Sequence, residues 1–242
     1  MSQLFTVKPA FGESALILLT VTKSLIHGHF VLRSKDHADE YVNARKLFAN
    51  PERFWRMCRL FAFCVDPSAP IDTVVGPARG GNDLAKGVAY WLSQLRFPSP
   101  KKDPDDSPIR CAWTDKVGKD DFAVAECHEE FVRGKRILLV DDVSTKGGSL
   151  EKVKRSVQKV GGEVVLALTI WNRGGVTPGK LGIPIGSLIT KEIPSWPPDQ
   201  CPLCKDGVPI NTDVGHGKEF LENKRMQNRE TSIPVGATDW SF

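Results

Sequence analysis

Two adjacent acids, Asp141 and Asp142, follow four apolar residues in the stretch "ILLVDDVSTKGGSL" from Ile137 to Leu150. Small hydroxyl side chains, a lysine and a glycine pair come next. A carboxylate pair can accept hydrogen bonds from the two vicinal hydroxyls of a sugar. Amides at the start of a helix bind phosphate because they have no partner within the helix and the helix dipole favours an anion. This order of residues therefore favours a phosphorylated sugar such as ribose 5-phosphate as the ligand.

A helix is predicted to position this turn. Leu150, Val153, Val157 and Val160 recur at helical spacing and a glycine pair follows, so the helix should begin at about Ser149. The Walker loop and the dinucleotide fingerprint are both absent from the sequence, which argues against an ordinary ATPase or a nicotinamide enzyme. The alternative is a plain strand, turn and helix of an α/β protein, with one of the two acids acting only as a cap.

The elements around this turn alternate between strands and helices. Helices are predicted over Ser14 to Leu25, Pro51 to Cys64 and Asn82 to Leu95. Strands are predicted at "IDTVVGPA", "PIRCAWT", "RILLVDD" and "VVLALTIW". Strands that are apolar on both faces and alternate with helices indicate an α/β fold with a parallel sheet covered on both sides. Ligands of such folds bind at the carboxyl ends of the strands.

Length and composition fit one substantial domain. The chain has 242 residues, of which 26% are charged and 40% hydrophobic, and its formal net charge is +4. No basic run suggests a nucleic-acid partner, and the apolar run "ALILLTV" is too short to cross a membrane. Six cysteines scattered along the chain suggest reduced thiols. We therefore expect a cytoplasmic protein that has no membrane or nucleic-acid partner.

A second glycine-rich turn stands in "VVGPARGGNDL", after another predicted strand. Arg79 lies there beside Gly80 and Gly81, just before a predicted helix. Amides at this helix start would again face the strand ends, which favours a second anion site. The alternative for Arg79 is a solvated surface arginine.

The stretch "LLVDDVSTKGGS" resembles the phosphoribosyl pyrophosphate (PRPP) motif of type I phosphoribosyltransferases. "GHFVLRSKDHADEYVN", "IWNRGG" and "IPSWPPDQCPLCKDGVPI" resemble the orotate phosphoribosyltransferase branch of that family. The resemblance implies one domain over residues 1–242. This domain would have a Rossmann-like core at about 50–175 and a small hood from about 1–49 and 176–242. It also implies phosphoribosyl transfer from PRPP to orotate in pyrimidine biosynthesis, Mg²⁺ as cofactor and a homodimer.

The same resemblance implies roles for particular residues. The catalytic set is Lys116, Lys119, Asp141 and Asp142. The PRPP-binding set is Ala78, Arg79, Gly80, Gly81, Asp141, Asp142, Ser144, Thr145, Lys146, Gly147, Gly148 and Ser149. Arg33 and Arg173 would bind the base, and Mg²⁺ would be held through PRPP without a direct protein ligand. Solvated loop lysines at 116 and 119, and a surface arginine at 173, are the alternatives.

The sequence departs from the family pattern at several positions. Lys35 stands where the family has a turn glycine, Asp36 follows it in place of a lysine, and Lys146 replaces a threonine. If the turn is left-handed, the β-carbon of Lys35 costs about 1 kcal/mol. Two alternative functions remain open: transfer to another base, or a non-catalytic PRPP-binding regulator of the competence type.

Cys201 and Cys204 form a single C-x-x-C pair near the C-terminus. One such pair is a weak signal for zinc, with His216 as a third candidate ligand. The sequence alone favours two thiols that pack a C-terminal turn.

Overall fold

The computed structural model describes residues 4–32, 34–96, 109–118 and 121–231. The chain forms two compact units. The first comprises the chain up to Leu25 and from Val42 to Glu192. The second comprises Ile26–Tyr41 and the chain from Ile193 onward.

The elements are numbered along the chain. The helices are α1 (Pro9–Val21), α2 (Arg45–Phe48), α3 (Pro51–Cys64), α4 (Gly80–Arg96), α5 (Gly148–Lys159), α6 (Pro178–Leu181), α7 (Pro202–Lys205) and α8 (Gly217–Thr231), with a 3₁₀ helix at Glu126–Phe131. The strands are β1 (Leu25–Val31), β2 (His37–Val42), β3 (Thr73–Gly76), β4 (Arg110–Val117), β5 (Asp121–Val124), β6 (Arg136–Ser144), β7 (Glu163–Asn172), β8 (Ile185–Thr190) and β9 (Ser195–Trp196).

The first unit is built on a six-stranded sheet with the order β5-β4-β3-β6-β7-β8. The pairs β3/β4, β3/β6, β6/β7 and β7/β8 are parallel, whereas β4 and β5 form an antiparallel hairpin. The predicted α/β fold with a largely parallel sheet is confirmed. Strand β8 was not predicted from the sequence.

Apolar side chains cover the central strands on both faces. Val75 and Leu139 pack in one cluster with Val153 of α5. Their neighbours in the chain, including Val74 and Leu138, are also fully buried and point to the opposite face. Helix α4 contacts β3, β4 and β6, and it also packs on α3. The sheet is therefore buried on both sides, as parallel sheets usually are.

Local signals set the helix bounds. Helix α3 spans the predicted residues: Pro51 is at its first position, and the Asn50 side chain accepts a hydrogen bond from the amide of Arg53 at 3.1 Å. The predicted bounds of the N-terminal helix, Ser14 to Leu25, are wrong. Pro9 starts α1 earlier, the helix ends at Val21, and Leu25 already belongs to β1.

The second unit contains a three-stranded sheet of order β1-β2-β9, in which β2 and β9 are antiparallel, together with α7 and α8. The turn before β2 holds Lys35 at a φ of 73°, the left-handed conformation expected where the family pattern has glycine. None of the helices in the described ranges is long and apolar enough to cross a membrane.

Candidate active site

The carboxyl ends of β3, β4, β6 and β7 meet at one edge of the large sheet, because these four strands run parallel. The strand registers place Gly76 of β3 opposite Trp113 of β4, and Val75 opposite Leu139 of β6. Ser144 at the end of β6 lies opposite Asn172 at the end of β7. The turns that follow these strands are therefore neighbours, although they are far apart in sequence.

The acid pair lies at the end of β6. Asp141 is buried and its carboxylate accepts a hydrogen bond from the amide of Asp142 at 2.9 Å; Asp142 accepts one from the amide of Val143 at 2.6 Å. Burial, followed by the charge of Asp142, raises the pKa of Asp141 well above its usual range. Burial also raises the pKa of Asp142, so two negative charges here are costly without a cation or hydroxyl donors.

The phosphate loop, defined here as Ser144 to Ser149, connects β6 to α5. Gly147 has a φ of +83°, a left-handed conformation that favours glycine, and α5 begins at the next residue. A β-carbon on Gly147 would lie 3.2 Å from Val176. The first amides of α5 have no partner within the helix. Thr145, Lys146, Gly148 and Ser149 are exposed, so this helix start is open to an anion.

The turn after β7, which carries Arg173, packs against the phosphate loop. The amide of Arg173 donates to the carbonyl of Ser144 at 2.9 Å. A β-carbon on Gly175 would overlap the carbonyl oxygen of Thr145 and lie 3.0 Å from the carbonyl carbon of that residue. Only glycine fits at position 175 without a shift of the turn after β7 or of the phosphate loop. Arg173 is half-buried beside this contact.

The glycine-rich turn after β3 also approaches the acid pair. A β-carbon on Gly80 would lie 3.1 Å from a carboxylate oxygen of Asp142 and 3.0 Å from the ring of Phe48. The Ala78–Arg79 peptide bond is cis, and the side chain of Arg79 is exposed. The glycine-rich turn at Gly80 thus lies against the carboxylate of Asp142, two residues before the other glycine-rich turn begins at Ser144.

Four hydrogen bonds, one of them buried and three partly buried, attach this turn to β4. The hydroxyl of Thr114 donates to the carbonyl of Gly76 at 2.9 Å and accepts from the amide of Ala78 at 3.2 Å. The Asn82 side chain donates to the Thr114 carbonyl at 3.1 Å and accepts from the Thr114 amide at 3.2 Å. Thr114 is fully buried, and its hydroxyl bond to Gly76 is shielded from water; together the four bonds fix the end of β4 to the turn.

Lys116 stands on the exposed part of the β4/β5 hairpin. It is two residues beyond Thr114, and its register partner on β5 is Phe122. At the rise of a strand, two residues correspond to about 7 Å, so Lys116 extends past the fixed end of β4. Two of the residues with predicted roles, Arg33 and Lys119, lie outside the described residues.

The phosphoribosyl transferase domain family matches residues 43–193, which is more than half of the chain. The chain belongs to the phosphoribosyltransferase family. Orotate phosphoribosyltransferase of Caldicellulosiruptor saccharolyticus is 32% identical over 199 residues, covering 82% of this chain and 94% of that protein. The orotate phosphoribosyltransferase of Thermotoga maritima is 32% identical over 202 residues, covering 83% and 97%.

Solved structures agree with this assignment. Orotate phosphoribosyltransferase of Mycobacterium tuberculosis in complex with inorganic phosphate has a TM-score of 0.52 and 25% identity, covering 76% of this chain and 96% of that one. The enzyme from Aeropyrum pernix has a TM-score of 0.53 at 23% identity, which supports the fold alone. The predicted membership in the type I phosphoribosyltransferases, with the orotate branch as the most similar, is confirmed.

Two residues that the structure brings to the site of this phosphoribosyltransferase were not identified from the sequence. Arg45 of α2 acts on Asp142, because its positive charge opposes the rise in the pKa of that carboxyl. Asn172 shapes the turn after β7: its side chain accepts from the amides of Gly174 and Val176 at 3.0 and 3.4 Å and donates to the Val176 carbonyl at 2.8 Å. Arg45 belongs to no motif quoted above, and Asn172 lies in the stretch "IWNRGG" without a role assigned to it there, so both contacts became visible only in the structure.

The two C-terminal cysteines of this phosphoribosyltransferase lie in the second unit. Cys201 is buried and Cys204 exposed, and both have histidine neighbours. These neighbours are His29 and His37 instead of the predicted His216, which contacts Glu219 at 3.2 Å. A pair of histidines eight residues apart, together with C-x-x-C, was the sequence signal that could have identified this cluster.

Proposed function

We propose that this protein transfers the phosphoribosyl group from PRPP to orotate and releases pyrophosphate. The observation that carries the proposal is the acid pair of buried Asp141 and half-buried Asp142 near the end of β6, with a glycine-rich helix start soon after it and the Gly80 turn against Asp142. Relatives named orotate phosphoribosyltransferase, which align over more than four fifths of the chain, support orotate as the base.

In this proposal the acid pair binds the ribose. Asp141 and Asp142 accept hydrogen bonds from the 2- and 3-hydroxyls, which supply donors to two carboxylates whose charged forms are disfavoured in the free protein. The phosphate loop holds the 5-phosphate through its backbone amides. These contacts bind and orient PRPP and leave its C1 carbon open to attack.

Carboxylate oxygens of this kind fit Mg²⁺, which prefers oxygen ligands and keeps several of its waters. We propose that Mg²⁺ is held through PRPP instead of by direct bonds to the protein, and that when bound it neutralises charge on the diphosphate.

The leaving diphosphate is assigned to the turn at Ala78, Arg79, Gly80 and Gly81 and to the lysines of the hairpin. The ring nitrogen of the base attacks C1 from the face opposite the diphosphate, and the C1–O bond breaks with its electrons going to the diphosphate oxygen. Lys116 and Lys119 stabilise the charge that develops there. Lys116 is exposed and extends past the fixed end of β4, which suits a group that approaches a bound ligand.

Arg173 and Arg33 are assigned to the base. Arginine suits the carboxylate of orotate because its planar guanidinium forms bidentate hydrogen bonds. The support for Arg173 is the turn that anchors it: the Arg173 amide bonds to Ser144, so this residue is held next to the phosphate loop.

A panel of free bases tests the function. With PRPP and Mg²⁺ present, we expect pyrophosphate release with orotate and little with uracil, adenine or hypoxanthine. Turnover of another base at the same rate would contradict the assignment of orotate as the specific substrate. PRPP binding without turnover of any base would favour the non-catalytic regulator.

Calorimetry tests the PRPP site separately. The double variant with Asp141→Asn and Asp142→Asn should lose Mg²⁺-dependent PRPP binding, whereas Asp199→Asn, at an exposed position in the second unit, should keep it. Unchanged affinity in the double variant would refute the assignment of the acid pair.

We further propose a cytoplasmic homodimer in which the hairpin of one subunit completes the site of the other. All six cysteines are free, which suits a reducing compartment. Mixing the Lys119→Ala and Asp141→Asn variants tests the dimer. Random exchange of subunits makes half of the dimers mixed, and each mixed dimer has one intact site, so about a quarter of the wild-type activity should return. No recovery, despite subunit exchange shown by light scattering of tagged chains, would place the loop in its own subunit.

A further inference from the structure

Four potential metal ligands converge in the second unit. They are the imidazoles of His29 on β1 and His37 on β2 and the thiols of Cys201, the N-cap residue of the short helix α7, and Cys204, within that helix. All four ligand atoms lie within 4.8 Å of one another. Three of these residues are buried, and Cys204 is exposed, which leaves an entry path for an ion.

The spacing of these atoms matches a tetrahedral zinc site. At ordinary zinc bond lengths, a nitrogen and a sulfur ligand are about 3.6 Å apart and two nitrogens about 3.3 Å. The His29 Nε2 atom is 3.6 Å from Cys201 Sγ and 3.7 Å from Cys204 Sγ, and His37 Nδ1 is 3.3 Å from Cys204 Sγ. The two imidazole nitrogens, His29 Nε2 and His37 Nδ1, are 2.8 Å apart. They would have to move apart by about half an ångström to reach the spacing of two zinc-bound nitrogens.

A hydrogen bond on the far side of its ring orients His29 as a ligand. Its Nδ1 atom lies 2.7 Å from the carbonyl oxygen of Val208, an acceptor that requires the proton on Nδ1. In the neutral ring, Nε2 then carries a lone pair directed at the two thiols. A backbone carbonyl that holds the second nitrogen of a histidine in this way is the usual support of a metal-binding imidazole.

The second unit has few apolar side chains to hold it together. Among the described residues, its buried apolar side chains besides Cys201 are Phe30, Val31, Ala38 and Ile193. The potential ligands come from two segments, with His29 and Cys201 separated by 172 positions. A small unit made of distant segments gains stability from a cross-link such as a bound metal.

We propose that His29, His37, Cys201 and Cys204 bind one structural zinc ion. Two thiolates and two imidazoles form a closed set of four protein ligands, which is typical of structural zinc, whereas catalytic zinc keeps one position for water. The zinc would tie the strands of the β1-β2-β9 sheet to the C-terminal segment and take no part in the transfer reaction.

Metal analysis of the full-length protein, purified without chelators and dialysed, provides the first test. We expect about one zinc per chain, and about one cobalt per chain after exchange with Co²⁺. The Co²⁺ form should show the visible absorption of a tetrahedral site and the near-ultraviolet band of thiolate ligation. Protein that takes up neither ion under reducing conditions would overturn the proposal, and this measurement needs no variant.

Variants locate the site. Cys201→Ser and His37→Ala should each lower the zinc content by more than about fivefold. The matched controls are His27→Ala, an exposed histidine on the same strand as His29, and Cys127→Ser, an exposed cysteine of the first unit; both should retain zinc. Zinc retained in Cys201→Ser, or lost equally in His27→Ala, would contradict the assignment.

A chelator distinguishes a structural ion from a surface-bound one. Removing zinc from the wild-type protein should lower its unfolding temperature, and adding Zn²⁺ should restore it. The Cys201→Ser variant should not respond to either treatment. An unfolding temperature that is independent of zinc in the wild-type protein would refute the structural role.

Discussion

Replacing Gly175 by alanine should weaken PRPP binding, because the new β-carbon would overlap the carbonyl oxygen of Thr145 in the phosphate loop. It would also lie 3.0 Å from the Thr145 carbonyl carbon and 3.5 Å from the α-carbon of Lys146. Both neighbours are backbone atoms, so no side chain can rotate away. Relief requires a shift of the loop on the order of 1 Å.

The size of the effect follows from the cost of overpacking. Forcing an extra methyl group into a tight contact costs about 1 to 3 kcal/mol. If the loop relaxes when PRPP is absent and must return to bind the 5-phosphate, this cost reduces PRPP affinity by about 5- to 150-fold. A shift of this size in a group that positions a substrate is enough to slow turnover as well.

Steady-state rates at varied PRPP, with calorimetry of PRPP alone, measure this effect. Gly179→Ala provides the matched control, since a β-carbon at Gly179 of α6 meets no atom within 4 Å. Thermal unfolding of both variants should show a folded protein. If Gly175→Ala binds PRPP as tightly as Gly179→Ala does, the turn after β7 does not control the phosphate loop and the reasoning fails.

Three further predictions concern charged groups of the site. Asp141→Asn should raise the free energy of unfolding at pH 7.5, because it removes a carboxyl whose charged form is disfavoured by burial and by the charge of Asp142. The pKa of Asp141 is raised in the native state, so the wild-type protein loses stability as the pH rises from about 4 through that pKa. Denaturant unfolding of both proteins should therefore show the higher stability of Asp141→Asn at pH 7.5 and not at pH 4. Lys116→Ala should lower kcat by more than about tenfold in initial-rate assays, whereas Lys159→Ala at the exposed end of α5 should not. A wild-type rate in Lys116→Ala would show that Lys116 is a solvated loop lysine without a catalytic role. Arg173→Ala should raise the KM for orotate by about 10- to 150-fold and leave PRPP affinity within about twofold, with Arg155→Ala unchanged; equal losses for both substrates would argue against a role in reading the base.

The features predicted correctly from the sequence are local in the chain. The acid pair, the glycine-rich turn and the start of α5 occupy one continuous stretch, so their proximity follows from strand and helix periodicity. The expected edge of the sheet follows too, because parallel strands bring their carboxyl ends together.

The missed features depend on contacts between distant segments. Thr114 and Asn82 are 32 positions apart, and His29 and Cys204 are 175 apart; no periodicity encodes such pairs. The early start of α1 is a different kind of miss, since Pro9 at its first position is a start signal visible in the sequence. The roles of the site residues stay predictions until the variants are measured.

The hydrogen bonds of Thr114 divide the β4/β5 hairpin into two parts with different evolutionary freedom. Up to Thr114 the strand is bonded on one side to Gly76 and on the other to Asn82, so a substitution there disturbs the turn at Gly80. Beyond it, residues 115–118 are exposed and carry no such attachment. Apart from the proposed catalytic positions 116 and 119, insertions or exchanges in the hairpin tip can therefore accumulate without moving the turn at Gly80. Related sequences should diverge in the length and in the remaining composition of this tip, while the threonine and asparagine vary together or stay unchanged.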